Sequence, residues 1–501
     1  MKKHLLVFSM VMAAMTANAQ TRQVATISTP TTLQAPLYCV SANGKYAAGD
    51  FGAVSLLDLE TGEETVFYDA ANEGSSAKGV TNDGTIVGQF GVDLSAPGAV
   101  LKKGADSWTI LPVPEEVGEG GEFCPQGVTP DGKYIAGYCY DMNKGMYVPL
   151  MWNLQDDGSY GTELLPYPET DLWGMQPQMT VLYGLSNDGT KAYGKMVDFT
   201  GFCTLGILYT KGEDGTWTYR LLGEDWLIKN EGAENPGPQP QMEDYVTAEP
   251  GTDEYWQQVQ DFDFLMMDWN IAAEAYAKIS TSPSSQIQVN QNSMSGNGKW
   301  MVMATPDAAR RYNVEDGTFV EISGSAGQTA CSVTDNGDVM MASPLAAPFR
   351  SSYICPAGTE SNGPQDFVGW LETNYEVTYA EGTEDGSTMG LGTCCVTPDG
   401  KTFVGWNAPM QPNLYYVSSI VRIDGTTTSI MNIDKTKEPT IEGGVLYIPE
   451  GTADVSIYEA GGSLIAAFTA EGSTDLSSYA KGIVVVKVNV GKLTKTFKLT
   501  L

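Results

Sequence analysis

Seven copies of one short pattern constrain the fold of this chain more than any other feature of its sequence. The pattern reads small residue, apolar residue, Ser or Thr, any residue, Asp or Asn, and Gly. Its copies begin at Cys39, Gly79, Gly127, Gly184, Ser293, Ser332 and Cys395. Their closing glycines fall at 44, 84, 132, 189, 298, 337 and 400, so five intervals lie between 39 and 63 residues and one is 109. Recurrence at this period indicates a repeat architecture.

Each copy predicts a β-hairpin. Asp-Gly and Asn-Gly favour the positive φ angles of tight two-residue turns, and the Ser or Thr hydroxyl can bond back onto nearby backbone. A β-rich run and further strand segments follow each turn. Four short strands per unit at this period are typical of one blade of a β-propeller. We therefore expect an all-β fold, a seven-bladed β-propeller over residues 20–434.

The first residue of the pattern is small in all seven copies. The innermost strand of a propeller blade crowds toward the central axis, where close packing requires compact side chains. Cys39 and Cys395 are accordingly interpreted as fillers that Gly or Ser could replace, with a reactive thiol as the alternative. A glycine usually follows a few residues after the turn, but copies five and six have Met303 and Ala342 instead.

The interval of 109 residues predicts an insertion at about 224–290. Within it, residues 253–278 place Trp256, Val259, Phe262, Met266, Trp269 and Ala273 at alternating three- and four-residue steps. That spacing predicts one face of an amphipathic helix on the ring, with a degenerate eighth blade as the alternative. Trp256 and Trp269 are the candidate ligand-binding residues, as a cap, and simple packing of this face against the propeller is the alternative. A second, shorter helix is predicted within Pro364–Val377.

The repeated turn resembles the Ser-Pro-Asp-Gly repeats of Tol-type and peptidase-associated propellers. It is also similar to the HAF-type extracellular repeats, whose Asn/Asp-Gly, apolar pair, glycine and later Leu-Trp strand are echoed in Gly127–Trp152. The resemblance covers most of residues 35–430. It implies the propeller fold, whereas function has to be argued from a site because propellers host unrelated activities.

The pattern changes after residue 434. Several strand-like runs in 435–501 predict a small C-terminal β-sandwich. This tail resembles the sorting domain of the type IX (Por) secretion system at Val455–Tyr458, Gly461-Gly462, Thr474–Ser477, Gly482 and Val486–Val488. It departs from that family at Val484, where an aromatic residue is usual. The resemblance implies export to the cell surface, and a plain accessory β-domain is the alternative.

The N-terminus reads as an export signal, residues 1–19, with a basic start, an apolar run and an Ala17-Asn18-Ala19 cleavage site. We expect an exported protein at the outer surface or outside the cell, with the periplasm as the alternative. The one histidine of the chain, His4, lies in this segment. A mature chain without histidine excludes Ser-His-Asp and Cys-His nucleophile pairs and lacks the commonest zinc and copper ligand.

The chain carries 61 acidic and 28 basic residues, a formal net charge of −33. Such a surface repels phosphate backbones and anionic lipid, so we expect no nucleic-acid partner and no membrane insertion. Solubility is the simple explanation of the charge, and a cationic or calcium-dependent partner is the alternative. Eight cysteines permit disulfides, but a propeller buries enough core to need few or none.

No phosphate-loop, Rossmann or nucleophile-elbow motif is present. We predict no metal site, no cofactor and no enzymatic activity. The leading hypothesis is a monomeric, non-catalytic binding protein that uses one propeller face, with a glycan or a protein as ligand. One rival is a glycan-active enzyme with two carboxylates in the central pocket. The other is a purely structural envelope protein without a pocket.

Overall fold

The computed structural model of the chain describes residues 23–29, 35–50, 53–67, 75–91, 96–118, 122–171, 174–198, 204–225, 236–277, 288–345, 350–380, 383, 390–408, 416–423, 439–442, 444–459, 464–479, 483–490 and 493–500. The chain divides into two compact units, Met1–Gly425 and Thr426–Leu501. The boundary predicted after residue 434 and the predicted signal peptide both lie outside the described residues, so they stay predictions.

The first unit begins with strand β1 (Val24–Ser28) and continues as a series of short sheets. Copies one to four of the pattern each lie in four successive antiparallel strands. These strands are β2–β5 (Leu37–Val40, Tyr46–Asp50, Val54–Asp58, Glu64–Phe67), β6–β9 (Ser76–Val80, Ile86–Gln89, Gly98–Leu101, Thr109–Ile110), β10–β13 (Phe123–Val128, Tyr134–Asp141, Met146–Leu154, Tyr160–Leu164) and β14–β17 (Met179–Leu185, Lys191–Val197, Thr204–Lys211, Trp217–Leu222). One parallel pair, Tyr147 with Met179, joins the third and fourth sets.

Two helices, α1 (Met242–Tyr245) and α2 (Asp253–Ala277), precede copies five to seven. The later elements are β18–β20 (Trp300–Ala304, Ala309–Asn313, Phe319–Glu321), β21–β24 (Thr329–Val333, Val339–Ala342, Ser352–Cys355, Gln365–Asp366), α3 (Phe367–Asn374), β25 (Glu376–Tyr379) and β26–β28 (Thr393–Val396, Thr402–Asn407, Val417–Ile423). Copy five is less regular, because its innermost segment makes isolated bridges, Gln288 with Ala304 and Met294 with Met301.

Strand β1 lies in the sheet of the last copy, far from its neighbours in sequence. It pairs antiparallel with β28 on one side and parallel with β25 on the other, so the sheet runs β25-β1-β28-β27-β26. Ala25 and Ile27 of β1 are fully buried, in a cluster with Phe403 and Val421. The start of the described chain therefore completes the sheet formed by its seventh repeat.

The seven turns share one hydrogen-bond design. In copy one the Ser41 hydroxyl donates to Asn43 Oδ1 at 2.7 Å and accepts the Tyr46 amide at 2.9 Å. The same pair of bonds joins Ser or Thr to the Asp or Asn and to the next strand in copies two to five and seven. In copy six Thr334 bonds Asp338 instead. All seven closing glycines have φ between 66° and 95°. Each glycine amide donates to the carbonyl of the Ser or Thr three residues before it, and the loops contain three or four residues, so the prediction of two-residue turns is wrong in length.

Each closing glycine lies against the preceding copy. A Cβ built on the glycine would fall within 4 Å of a side chain of that copy in every case. The pairs are Gly84 with Tyr46, Gly132 with Thr81, Gly189 with Tyr134, Gly298 with Ser186, Gly337 with Trp300 and Gly400 with Thr334. Gly44, in the first copy, lies against Thr402 of the seventh, and Arg422 Nη2 donates to the Gly44 carbonyl at 2.8 Å. The neighbour contacts of the turns thus return from copy seven to copy one.

Helix α2 matches the helix predicted from residue 253, and Asp253 and Glu254 stand in its first turn. Its apolar face packs from Val259 onward, and Trp269 and Ala273 are buried against Tyr193 and Met294. Trp256 does not follow this face and is 61% exposed. Within the predicted insertion, the described residues 236–277 form α1 and α2 with their flanking segments. The second predicted helix corresponds to α3, which Asp366 caps by accepting the Gly369 amide at 2.9 Å.

The second unit contains one five-stranded sheet. Its strands are β29–β33 (Thr440–Glu442, Val445–Glu459, Leu464–Asp475, Ile483–Val490, Leu493–Thr500). Buried residues of β30 switch from even positions, Leu446 and Ile448, to odd positions, Ala453, Val455 and Ile457, across a register shift in the ladder. The shift keeps both halves of β30 on one hydrophobic core. Gly461, Gly462 and Gly482 of the sorting-domain pattern lie outside the described residues, and the two-layer sandwich stays a prediction.

Candidate functional site

The innermost strands of the first unit enclose a cavity of about 390 Å³, here called the mouth cavity. The residues that carry its polar and aromatic chemistry are Tyr38, Gln126, Tyr183, Asn290, Gln291, Asn292, Thr329, Arg350, Thr393 and Trp406. Leu37, Val289, Cys331, Ala342, Cys394 and Cys395 complete the lining. Tyr38, Gln126 and Tyr183 lie on the innermost strands, before the turns of their copies begin. The mouth cavity therefore lies at the end of the sheets opposite to the turns.

Amide side chains form the floor of the mouth cavity. Gln291 Nε2 donates to Gln126 Oε1 at 2.6 Å, and Asn292 Nδ2 donates to the Tyr38 carbonyl at 3.3 Å. The buried Tyr193 hydroxyl accepts the Ser293 amide at 2.9 Å and donates to the Gln291 carbonyl, which fixes this segment. A smaller cavity of about 110 Å³, lined by residues of the turns, shares Gln126, Gln291 and Asn292. The central space is thus divided by an amide layer into two cavities.

One wall of the mouth cavity is aromatic. Tyr38 meets Trp406 edge to face, with ring centroids 6.0 Å apart, and Trp406 meets Tyr416 at 5.6 Å. The Arg350 guanidinium carbon lies 5.9 Å from the Trp406 ring centroid. Burial, followed by the nearby Asp50 carboxylate and Tyr416, raises the pKa of Tyr38, so its hydroxyl stays protonated and can donate.

A second group of rings starts from Tyr183, which lines the mouth cavity on the side of copy four. Burial, then Cys124, Tyr183 and Tyr147, raise the pKa of Tyr138, which places these phenols close to one another. Tyr147 meets Tyr138 and Tyr140 edge to face, with centroids 5.5 and 5.0 Å apart. Tyr138, Tyr140 and Tyr147 are only partly buried, so part of each residue is exposed.

The mouth cavity differs in charge from the rest of the chain. Among the described residues that line it, Arg350 is the one cation, and no Asp or Glu is present. The pair of carboxylates expected of a glycan-active enzyme is therefore not found in this lining. Across the described parts of the chain, no three His, Cys, Asp or Glu side chains come together as metal ligands would.

The cysteines near the central space behave as neutral packing groups. The seven described cysteines are free and buried. Burial raises the pKa of Cys39 and of Cys331 to about 12, and it raises the pKa of Cys394 and Cys395 as well. A nucleophilic or metal-binding cysteine needs a lowered pKa, so these environments favour the filler interpretation of Cys39 and Cys395 over reactive thiols.

The structure does not bring the two predicted ligand-binding tryptophans together. Trp256 is exposed and has Tyr255 as its ring neighbour at 5.1 Å. Trp269 is 6% exposed, and its Nε1 donates to the Gly237 carbonyl at 3.1 Å. Trp269 lies on the face of α2 that is turned toward the sheets, in a buried cluster with Tyr193 and Met294. A ligand-binding role for the two tryptophans stays a prediction.

The mouth cavity has a signal in the sequence, one position before the small residue of each copy. In every copy, the residue just before the small residue of the pattern lines one of the two central cavities. These residues are Tyr38, Lys78, Gln126, Tyr183, Asn292, Cys331 and Cys394. The first residue of the pattern was predicted to be small for packing. The residue before it supplies the side chain that lines a cavity.

Comparisons with known proteins give matches in structure only: no protein-family model and no curated protein matches the chain. A protein assigned as TolB from Agrobacterium tumefaciens is 21% identical, with 36% of this chain and 62% of that chain covered and a TM-score of 0.26. A puromycin-hydrolyzing peptidase from Mycobacterium tuberculosis is 12% identical, with 80% and 53% covered and a TM-score of 0.40. The chain thus spans less than two thirds of either protein. At these scores the architecture rests on the ladders and turn contacts described above.

The prediction that the chain is not an enzyme is corrected by the second comparison, because that matched protein is named as a peptidase. The lack of histidine after residue 19 bears only on mechanisms that use histidine, and carboxylate, Tyr, Lys and Cys side chains are present. In the described residues, no helix combines the length and apolar character needed to cross a bilayer.

Proposed function

We propose that this chain is an exported seven-bladed β-propeller that binds a glycan in the mouth cavity. Four features support the seven-bladed ring. The pattern occurs seven times, each turn contacts the turn or sheet of the preceding copy, and the first copy contacts the seventh. Strand β1 joins the sheet of the seventh copy, as a strand that closes a ring would do.

The lining of the mouth cavity carries the glycan proposal. Sugar rings offer apolar C–H faces for stacking and hydroxyl groups that both donate and accept hydrogen bonds. The cavity supplies Tyr38, Tyr183 and Trp406 for stacking on the C–H faces. It supplies a layer of amide side chains for hydrogen bonds to the hydroxyl groups. Its volume of about 390 Å³ lies in the usual range for small-ligand sites, roughly 300–1,000 Å³.

The export part of the proposal rests on the sequence. The signal-like residues 1–19 and the resemblance of 435–501 to a type IX sorting domain favour a location at the outer surface or outside the cell. Val455–Tyr458 lie in β30 and Val486–Val488 in β32, where the two strands pair. The periplasm and a plain accessory β-domain remain the alternatives that localisation of the full-length protein would distinguish.

Replacing Trp406 with alanine is expected to weaken glycan binding by about tenfold or more, equivalent to ~1.4 kcal/mol, because a central aromatic anchor is lost. Binding is measured on an array of neutral and acidic oligosaccharides and then by calorimetry with the oligosaccharides that bind. Trp256→Ala is the matched control, since it removes an exposed tryptophan in the first turn of α2 that does not line the cavity and should leave the affinity unchanged.

Two outcomes would overturn the glycan proposal. One is an array on which the folded protein binds no oligosaccharide while it captures peptides. The other is a loss of binding in Trp256→Ala that equals or exceeds the loss in Trp406→Ala. The second outcome would return the binding site to the α2 insertion.

A further inference from the structure

From the charge of the mouth cavity we infer that its ligand is an acidic sugar whose carboxylate pairs with Arg350. This inference rests on the proposed glycan function and adds the class of glycan. The chain has 61 acidic residues and 28 basic ones, yet the described lining of the mouth cavity contains one guanidinium and no carboxylate. The described lining of the cavity is therefore positively charged, whereas the chain as a whole is strongly negative.

The Arg350 guanidinium is held in place by neutral groups. Its Nη1 donates to Thr393 Oγ1 at 3.1 Å, and its Nε donates to the Leu345 carbonyl at 3.3 Å. The backbone carbonyl of Arg350 accepts Asn407 Nδ2 at 3.0 Å, which anchors the base of the side chain. With the Trp406 ring beside it, the guanidinium has a fixed position at the wall of the cavity.

Comparison with two other arginines supports a ligand partner for Arg350. Arg310 binds Asp225 and Glu321 at 2.9 Å each, and Arg311 binds Glu360. For Arg350, the described residues supply no carboxylate within salt-bridge distance. A guanidinium gains most from a planar carboxylate that takes two parallel hydrogen bonds. Arg220 and Arg422 likewise have no described carboxylate partner within that distance and donate to backbone carbonyls. Of these three arginines, Arg350 is the one that lines the mouth cavity, so its charge faces the space for a ligand.

A single fixed positive charge favours a monoanion. One guanidinium can neutralise one sugar carboxylate, but a phosphate dianion would retain excess charge inside a strongly acidic protein. The neighbouring amides, Asn290 and Asn292, are suited to the hydroxyl groups of the same ring. Uronic and sialic acids combine the ring, the hydroxyl groups and one carboxylate.

The test uses matched pairs of oligosaccharides on the array, uronate- and sialate-containing chains and their carboxyl-reduced counterparts, with the full chain as protein. We expect the wild-type protein to prefer the acidic member of at least one pair by about tenfold or more, the gain typical of a charged hydrogen-bonded pair. Arg350→Gln should reduce the acidic-to-neutral ratio to about one, and Arg350→Lys, which keeps the charge and loses the fork, should give an intermediate ratio.

Arg220→Gln is the control, because it removes the same charge from an exposed strand outside the cavity and should leave the ratio unchanged. Thermal unfolding of each variant checks that the fold persists. Equal binding of acidic and neutral members by the wild type, or an unchanged ratio in Arg350→Gln, would overturn the carboxylate pairing while leaving glycan binding in place. Binding of no oligosaccharide, or of acidic peptides only, would instead overturn the proposed function itself.

Discussion

Gly194→Ala is expected to destabilise the first unit by at least ~3 kcal/mol, a larger loss than most single substitutions cause. Gly194 stands in β15 opposite a bulge of the innermost strand β14, between Leu182 and Gly184. A Cβ on Gly194 would lie less than 3.0 Å from the Val181 carbonyl oxygen. Since backbone cannot move aside as a flexible side chain can, the sheet would have to open at its innermost edge.

The same arrangement recurs in copies one to three. Gly49, Gly88 and Gly137 each face a bulge, and a Cβ on any of them would overlap the carbonyl oxygen of Pro36, Ser76 or Cys124. In copies one to four the close carbonyl therefore requires glycine at this position, whereas copy six carries Met341 opposite its own register shift. In copy six the ladder places Met341 at this position, so the sequence assignment of Ala342 is off by one residue.

Gly161→Ala is the control for Gly194→Ala. Gly161 lies in β13, where a Cβ would meet only the end of the Gln155 side chain. Urea unfolding of both variants, followed by circular dichroism, measures the two free energies. A loss in Gly194→Ala no greater than in Gly161→Ala would mean that the bulge does not constrain the second strand.

Ile27→Asp is expected to cost several kcal/mol, of the order of 3–5, because it places a carboxylate in a closed apolar cluster. Ile27 is fully buried on β1, with Leu371, Phe403 and Val421 in the same cluster. The cost should appear as a lower unfolding temperature in calorimetry and as faster hydrogen exchange in β28, which loses its partner strand.

The matched control for Ile27→Asp is Thr26→Asp. Thr26 is the neighbouring residue on the other face of β1, where its hydroxyl bonds Thr378 at 3.1 Å in an exposed position. The same charge there should change stability by less than ~1 kcal/mol. Equal effects of the two substitutions would mean that β1 does not pack into the sheet of copy seven.

Local sequence chemistry predicts the repeated part of this fold well. The Ser/Thr, Asp/Asn and Gly of each turn act within six residues, so the turns could be predicted from short range alone. Helix α2 followed from its spacing, because its buried face repeats with the helical period. Trp256 fits the same spacing but is 61% exposed, so the buried face is shorter than the spacing predicted.

Long-range pairing could not be predicted in this way. Strand β1 carries no copy of the pattern, and its partner β28 is almost 400 residues away, so only the closed arrangement brings them together. The mouth cavity has the same origin. Tyr38 and Tyr183 hold the same position of the pattern in copies one and four, but Trp406 lies on the second strand of copy seven, and the sequence does not show which copies face one another. A site built by convergence of repeats becomes visible only once the order of neighbours around the centre is known.

Cross-linking of native lysines tests the closed ring most directly. Lys45 and Lys401 each follow the closing glycine of their copy, the first and the seventh. With Gly44 against Thr402, the ring makes these two turns neighbours. A short amine-reactive reagent, followed by mass spectrometry of the monomer, should therefore yield a peptide linking Lys45 to Lys401. Links within single copies without any link between Lys45 and Lys401 would indicate an open array with the two copies at opposite ends, and would contradict the ring.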